Sequence, residues 1–414
     1  MRKGLSAVLA RALRWRPGGY LRASAALTGW LLLRALAQAL VVVLLARWLG
    51  AQAYGLYVTA LAAVSFFIPL ASLGLGGVLL REGARSPETL DRLLGKVIRL
   101  WAAALVLTSL AAFGLLHVLL AGVVATATLA VFAVAEVAAV SFIELIARAE
   151  QARQRTARFG ALHTGLILAR LIVLLPLIAL TPQVETWLWA QACVSLAYSA
   201  AVAAWGLARH PPHLRAPVGW HLAAAGLPYA AGALSHRLQA EFNKPLLARL
   251  GYEQAAQFGV AQRVMELVSL PLQAMQEALW PRLYSGRHSP RQLALVALTI
   301  LGAALIGGLA AAMAAPLLPT LLGPGYESSS TLLLWIAFLP ALQLARNQLT
   351  AQVVACERTP RLLLVYAVGA GAGMLLAWVL IPRFGMPGAV AALYLNELLN
   401  LLVLGLILLH TKNG

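Results

Sequence analysis

The sequence has few cysteines and few charged residues. Only two of its 414 residues are cysteines, Cys193 and Cys356, and they have neither the spacing of a disulfide framework nor that of a metal site. Charged residues make up 11% of the chain, against about a quarter in an ordinary soluble domain. Hydrophobic residues make up 61%, which is more than one aqueous core can bury. The composition therefore excludes an ordinary soluble protein.

Acidic residues are scarcer than basic ones: 14 Asp and Glu stand against 32 Lys and Arg, a formal net charge of +18. A strongly basic chain can bind nucleic acid, but here the basic residues lie between apolar runs and lack the interleaved aromatics of a strand-binding groove. Basic residues between apolar runs are typical of membrane topology. We expect membrane lipid around the chain and no nucleic-acid partner.

Apolar runs of 18 or more residues recur along the whole chain, and each is long enough to cross a hydrocarbon core of about 30 Å as a helix. This pattern predicts an all-α integral membrane protein with about twelve transmembrane helices. The predicted spans are residues 24–46, 54–80, 97–119, 122–147, 159–181, 184–208, 220–248, 255–281, 292–318, 328–356, 361–381 and 387–409.

The basic residues outside the spans indicate the orientation. Twenty-three of them fall on one side, and only Arg47, Arg249 and Arg383 fall on the other. The positive-inside rule then places both termini in the cytoplasm of a protein of the cytoplasmic (inner) membrane. Residues 1–22 lack the apolar core of a signal peptide and are predicted to form a basic interfacial segment. The outer loops are short, which argues against a large outer catalytic domain.

An internal repeat relates the two halves of the chain. Residues 46–50 read ARWLG and are followed by Tyr54-Gly55, while residues 248–251 read ARLG and are followed by Phe258-Gly259. Each copy lies in the first outer loop of a six-span half. Repeats of equal orientation are related by an axis along the membrane normal. We therefore predict two six-helix lobes, with boundaries at residues 23–210 and 211–414.

Four segments together carry a resemblance to a known family: residues 45–75, 227–283, 321–349 and 380–399. In combination they resemble the polysaccharide and O-antigen flippases of the multidrug/oligosaccharidyl-lipid/polysaccharide exporter superfamily. The resemblance implies an alternating-access flippase for a lipid-linked oligosaccharide, working beside polysaccharide polymerase machinery. The motif glycines are expected to serve turns and packing instead of ligand binding; they are Gly50, Gly55, Gly323, Gly325, Gly385 and Gly388.

Two departures distinguish branches of that superfamily. Lipid II flippases usually add two spans after the twelfth, whereas this sequence ends at Gly414. Drug exporters commonly carry an acid in the first span, where this chain has Arg34 and Gln38. The oligosaccharide branch fits best, with a small-molecule or multidrug exporter of the same fold as the alternative. A membrane glycosyltransferase or ligase is a further alternative, although the sequence shows no catalytic triad, nucleotide-binding loop or metal cluster. We expect no enzyme activity and no cofactor.

Six basic residues fall inside the predicted spans, where each charge is costly unless it faces a partner or a cavity. The family resemblance implies a substrate that carries phosphate or pyrophosphate, and arginine offers forked donors suited to phosphate oxygens, so these residues are the predicted substrate ligands. The candidates are Arg34, Arg170, Arg237, Lys244, Arg263 and Arg346. Arg34 lies twelve residues after Arg22, about 18 Å along a helix, and its own span contains no acid. It is therefore the strongest candidate.

The alternative is that these cations pair with glutamates and only fasten helices together. This alternative is stronger for Arg237 and Arg263, because Glu241 and Glu266 lie one turn away. The acids concerned are Glu136, Glu144, Glu241, Glu266, Glu277 and Glu397. Among them, Glu136, Glu266 and Glu397 are also the predicted sites for coupling to protons or sodium ions.

Polar residues in the seventh and eighth spans follow helical spacing, which predicts that both helices line a central cleft. His163 and His221 lie near cytoplasmic ends and are interpreted as interfacial, and His117 is no better a candidate. The stripe on the eighth span is Gln262, Glu266, Ser269, Gln273 and Gln276, with Arg263 at its edge. The two series on the seventh span are Arg237, Glu241 and Lys244, and His236, Gln239 and Asn243.

Overall fold

A computed structural model describes residues 19–213, 219–284, 290–355 and 359–409, and every regular element in these ranges is helical. The all-α prediction is thereby confirmed. The predicted interfacial segment of residues 1–22 lies outside the described residues, except for residues 19–22, which begin the first helix.

The helices are grouped by the two predicted lobes of the chain. The first lobe contains α1 (Gly19–Ser65), α2 (Ile68–Ala71), α3 (Leu75–Arg85), a 3-10 turn (Pro87–Thr89), α4 (Leu90–Leu120), α5 (Thr126–Ala152), α6 (Thr156–Leu177) and α7 (Val184–Arg209). The second lobe contains α8 (Trp220–Glu241), α9 (Asn243–Ala248), α10 (Tyr252–Tyr284), α11 (Pro290–Ala314), α12 (Leu317–Leu322), α13 (Glu327–Ile336), α14 (Leu339–Ala355) and α15 (Thr359–Leu409).

Two glycines divide the longest helices. Gly50 in α1 has φ 74°, and Gly385 in α15 has φ 61°; this left-handed region favours glycine because it has no Cβ. At each of these two positions the chain turns back, so α1 and α15 each contain two consecutive spans. The motif glycines Gly323 and Gly325 also have positive φ, which confirms their predicted role in turns.

Eight stretches of the described residues are long and apolar enough to cross a membrane. Two of them, Ala26–Ala71 and Leu362–Leu409, each contain two predicted spans, so the eight stretches account for ten. The remaining two predicted spans are α8 with α9, and α10. These helices carry Arg237, Lys244 and Arg263, and their polarity explains why hydropathy alone misses them. The prediction of about twelve helices is confirmed.

At the predicted cytoplasmic end, the lobes touch between the second and seventh spans. The second span is interrupted at Leu73 and Gly74, both with positive φ. A Cβ atom at Gly74 would lie 2.3 Å from the carbonyl oxygen of Gly226 in α8. The two backbones are therefore in direct contact, which requires a residue without a side chain.

At the predicted outer end, the two copies of the repeat motif pack against each other. A Cβ atom at Gly259 would lie 2.9 Å from the Val58 side chain. The Tyr326 hydroxyl, in the loop before α13, donates a hydrogen bond of 3.1 Å to the Ala46 carbonyl oxygen. The largest buried apolar cluster surrounds these contacts and includes Phe258. The lobes are therefore sealed together on this side.

Candidate functional site: a cationic cavity between the lobes

A cavity of about 200 Å³ lies between the two lobes. Its walls come from the first, second, fourth and fifth spans of the first lobe and from the seventh and eighth spans of the second. Five of the six predicted cations line it: Arg34, Arg170, Arg237, Lys244 and Arg263. The structure therefore brings together residues that are separated by as many as 229 positions in sequence.

The first span separates the cavity from the lipid-facing surface. Arg34 and Gln38 lie one turn apart on the cavity side, and Val41, Val42 and Leu45 continue that face. Leu36, with 69% of its surface exposed, lies on the opposite face. One helix thus presents a guanidinium to the cavity and leucines to the membrane.

Arg170 is held in a closed network between the fourth, fifth and sixth spans. Its Nη2 atom donates to both carboxylate oxygens of Glu136, at 2.7 and 2.9 Å. The Ser195 hydroxyl accepts from the Arg170 guanidinium at 2.9 Å and donates to Glu136 at 3.0 Å. All three side chains are buried. Arg170 therefore fastens three helices, as the pairing alternative predicts.

A second network connects the seventh and eighth spans. Lys244 forms a buried ion pair with Glu241. Arg263 binds Glu266 at 2.5 Å and lies 3.9 Å from Glu241. Two cations therefore share two carboxylates on the wall of the second lobe. The predicted pairing of Arg263 with Glu266 is confirmed.

Arg34 and Arg237 differ from the other cations of the cavity. Within the described residues, neither forms an ion pair or a side-chain hydrogen bond. The expected pairing of Arg237 with Glu241 is wrong, because that carboxylate is taken by Lys244 and approached by Arg263. Arg34 and Arg237 occupy similar places in the repeat, 13 and 12 residues before Arg47 and Arg249. Each lobe thus contributes one uncommitted guanidinium from its first helix.

Arg346 does not line the cavity, contrary to its grouping with the other cations. It binds Glu397 at 3.2 Å and the Gln239 side-chain oxygen at 3.0 Å, between the seventh, tenth and twelfth spans. Asn396 and Asn400 also donate to that oxygen. This geometry makes Arg346 a helix-fastening residue of the second lobe, and it accounts for Gln239 of the second polar series of the seventh span.

The predicted polar stripe of the eighth span is only partly correct. Arg263 and Gly259 line the cavity. Gln262 instead donates to the backbone carbonyl of Ala240, and Ser269 donates to that of Met265. The side chains of Gln273 and Gln276 lie outside the described ones. On the seventh span, by contrast, Arg237, Glu241 and Lys244 all face the cavity as predicted.

The sequence reasoning missed a contact between His163 and Glu144 in the first lobe. The Nε2 atom of His163, interpreted as interfacial, lies 2.7 Å from a carboxylate oxygen of Glu144, and His163 lines the cavity. The signal was present in the spacing. His163 lies seven residues before Arg170, and Glu144 lies eight residues after Glu136, so the two antiparallel helices meet in two successive cross-links about 12 Å apart.

The cavity has an excess of positive charge. Five basic and two acidic side chains line it, Glu136 and Glu241 being the acids, for a net formal charge of +3 with His163 neutral. Tyr54 and Tyr57 form its predicted outer end, next to the seal between the lobes. A pocket with this excess of charge suits an anion.

The comparison with known proteins rests on structure. No protein-family model and no curated protein sequence matches the chain. The chain is similar to the lipid II flippase MurJ in an inward closed conformation, with 13% identity, 92% of this chain and 86% of the other covered, and a TM-score of 0.72. It is similar to the MATE multidrug transporter DinF-BH, with 15% identity, 94% of each chain covered and a TM-score of 0.67.

A multidrug resistance MATE transporter of the MOP superfamily in an outward-facing conformation is also similar, with 16% identity, 98% of each chain covered and a TM-score of 0.65. The chain has the fold of these transporters. It is thus a multi-pass membrane protein whose structural neighbours are transporters and a lipid flippase. The described helices and these neighbours confirm the predicted architecture of two six-helix lobes.

Proposed function

We propose that the protein is a flippase of the cytoplasmic membrane. It moves an oligosaccharide linked to a polyprenyl phosphate or pyrophosphate from the cytoplasmic to the outer leaflet, for surface polysaccharide assembly. The moving bodies are the lobes of residues 23–210 and 211–414, both termini are cytoplasmic, and the polysaccharide polymerase machinery is the expected neighbour in the membrane.

The observation that carries this proposal is the pair of uncommitted guanidiniums, Arg34 and Arg237, in a cavity of net charge +3. A cation inside a membrane span without an acidic partner is costly, and an anionic ligand relieves that cost. Guanidinium donors match phosphate oxygens, and two arginines on opposite lobes can hold one phosphate group between them. Ligand binding would then also draw the lobes together.

The position of Arg34 also suits a substrate with a lipid tail. Arg34 faces the cavity while Leu32, Leu33, Leu36 and Leu40 of the same helix are exposed on the protein surface. A polyprenyl chain can therefore stay in the bilayer beside the first span while its phosphate enters the cavity. The cavity of about 200 Å³ is below the usual size of about 300–1,000 Å³ for pockets that hold drug-sized ligands. The lobes therefore separate to admit the sugar.

The second candidate is a small-molecule exporter, favoured by the similarity to two MATE transporters. The net positive charge of the cavity disfavours cationic compounds, because a cation would lose its hydration among like charges. If the protein is a small-molecule exporter, the charge of the cavity therefore favours anionic compounds as its substrates.

Reconstitution of the full chain into vesicles tests the proposal. A polyprenyl-pyrophosphate-linked oligosaccharide in one leaflet should become accessible to a lectin added on the other side, and a fluorescent organic anion should not be transported. Arg34→Ala and Arg237→Ala should abolish flipping. Arg47→Ala, which removes an exposed arginine at the end of the same helix as Arg34, should not. Transport of the organic anion without flipping would replace this proposal with the exporter.

A further inference from the structure

Three arginines around the loop between α5 and α6 share one buried carboxylate. The side chain of Glu150, near the end of α5, is only 2% exposed. Its Oε1 atom accepts a hydrogen bond from Arg153 at 3.0 Å, and its Oε2 atom accepts from Arg158 at 3.1 Å and from Arg155 at 3.4 Å. A single carboxylate therefore fixes three guanidiniums at one place on the predicted cytoplasmic end of the first lobe.

The α7 helix adds a fourth arginine and a tryptophan. The Arg158 guanidinium lies over the Trp205 ring, 5.6 Å from its centroid, and the Arg209 guanidinium lies 4.9 Å from the same centroid. At these distances a cation and an aromatic ring attract each other. Trp205 therefore holds together two arginines from different helices. Arg153, Arg155, Arg158 and Arg209 are called the arginine cluster below.

The arginine cluster carries an excess of positive charge. Among the described residues, its acidic partners are Glu150 and Asp91 of α4, whose carboxylate forms an ion pair with Arg153. Four guanidiniums and two carboxylates leave a formal charge of +2. His210 also contacts Arg155, but burial lowers the pKa of His210, so its imidazole adds no charge at neutral pH. The cluster therefore suits a ligand with negative charge.

Part of the arginine cluster is open to such a ligand. The side chains of Arg155 and Arg158 are 40% and 44% exposed. Each contacts Glu150 through its Nη1 atom, whereas a guanidinium has five N–H donors. Arg209 is exposed, and within the described part of the chain it forms no ion pair. Three guanidiniums therefore keep donors for an anion.

The place of the cluster in the membrane indicates which anion this is. Arg155 and Arg158 lie at the start of α6 and Arg209 at the end of α7, on the side that the positive-inside rule places in the cytoplasm. Tryptophan is typical of the membrane–water interface, and basic pockets between helices on this side bind anionic lipid headgroups. Deeper in the membrane, the same two helices expose Ile172 and Leu196, against which acyl chains can pack.

We propose that the arginine cluster binds the phosphate of an anionic glycerophospholipid in the cytoplasmic leaflet. The phosphate oxygens accept hydrogen bonds from Arg158 and Arg209 beside Trp205, and the charge of Arg155 adds to the attraction. The bound headgroup connects α6 with α7 and so holds the fifth and sixth spans together at the membrane surface. No arginine of the cluster lines the central cavity, so this lipid site does not depend on the proposed function.

Lipid binding to the full-length protein tests this site. The protein is purified in a neutral detergent and titrated with phosphatidylglycerol or with phosphatidylcholine of the same acyl chains, and the bound lipids are counted by native mass spectrometry. Phosphatidylglycerol should bind more tightly, because phosphatidylcholine has no net charge. This preference should shrink as the salt concentration rises, since exposed charges are screened. Equal affinity for the two lipids overturns the proposal.

Arg209→Ala is the sharpest variant, because Arg209 takes no part in the ion pairs of Glu150 and its removal leaves them in place. The affinity for the first phosphatidylglycerol bound should fall about fivefold, the contribution expected of one basic residue near a membrane surface. Arg158→Ala should weaken binding at least as much. Arg85→Ala, which removes an exposed arginine in the last turn of α3, is the matched control and should bind as the wild type does. Wild-type affinity in Arg209→Ala would overturn the assignment.

Inorganic phosphate distinguishes a lipid from a free anion. At millimolar concentration it should not displace phosphatidylglycerol or raise the melting temperature, because it lacks the acyl chains that keep a headgroup at this surface. Phosphatidylglycerol should raise the melting temperature of the wild type and of Arg85→Ala more than that of Arg209→Ala. An equal rise with inorganic phosphate, lost in Arg209→Ala, would make the cluster a site for a soluble anion and reject the lipid.

Discussion

A Cβ atom at Gly55 would lie 1.8 Å from the carbonyl oxygen of Tyr252, so the second span and the start of the eighth touch backbone to backbone. These glycine and tyrosine positions lie in the two copies of the repeat motif, one in each lobe. The closest approach of the lobes at the predicted outer end therefore depends on the absence of a side chain. The proposed alternating access requires this contact to form and break.

Gly55→Ala should open the outer seal. The added methyl group cannot fit, and overpacking of this kind costs about 1–3 kcal/mol. The sealed state should therefore lose about five- to hundredfold in population relative to the outward-open state. In a variant without the native cysteines, Tyr57→Cys should react correspondingly faster with a membrane-impermeant maleimide added outside.

Gly114→Ala is the matched control, because a Cβ atom there meets nothing within 4 Å. It should leave the labelling rate unchanged. Equal rates for Gly55→Ala and Gly114→Ala would mean that the contact with Tyr252 does not limit opening.

Arg34→Ala should weaken substrate binding without lowering stability. It removes the proposed charge-assisted phosphate contact, worth about 1.5–3 kcal/mol, which is roughly a ten- to hundredfold loss of affinity for a polyprenyl-pyrophosphate sugar. Arg34→Lys should recover only part, since an ammonium lacks the planar fork. Unchanged affinity together with a lower melting temperature would remove Arg34 from the binding site.

Arg237→Ala should behave in the same way as Arg34→Ala if the two guanidiniums hold one phosphate between the lobes. The double variant should then lose less than the sum of the two single effects, because the second arginine no longer has a correctly placed ligand. Binding measured on the purified single and double variants gives this coupling directly. Strict additivity would indicate two independent anion contacts.

Arg170→Ala should act mainly on stability. It leaves the buried Glu136 carboxylate without its partner, which costs about 3–5 kcal/mol. Adding Glu136→Gln should restore much of the lost melting temperature, because the amide is neutral. If the double variant is no more stable than Arg170→Ala alone, the ion pair is not what fastens these helices.

A reporter fused after Gly414 should read cytoplasmic. The reason is the distribution of basic residues, 23 on one side and three on the other. An external reading would mean either that the number of spans is odd or that the whole protein is inverted, and inversion would exchange the two ends of the cavity in the proposed mechanism.

Hydrophobicity and charge distribution determined the architecture. Long apolar runs predict membrane helices because an exposed backbone is not tolerated in lipid, and this physical constraint acts locally along the sequence. The repeat around Gly50 and Gly251 predicted two lobes, because each copy of the motif marks a turn at the equivalent position of its half of the chain. The predicted membrane depth of Arg34 likewise rests on counting residues along one helix.

Only the tertiary structure decided which charges are partners. Glu241 lies one turn from Arg237 in the sequence, but in the structure it forms an ion pair with Lys244. Glu136 forms an ion pair with Arg170 on another helix. Sequence spacing gives neighbours within a helix, whereas the rotation and tilt of each helix against the next depend on packing over the entire lobe. For that reason the sequence named five cations of the cavity together with Arg346, which lies outside it, and the fold separated Arg34 and Arg237 from those already neutralised and brought His163 to Glu144.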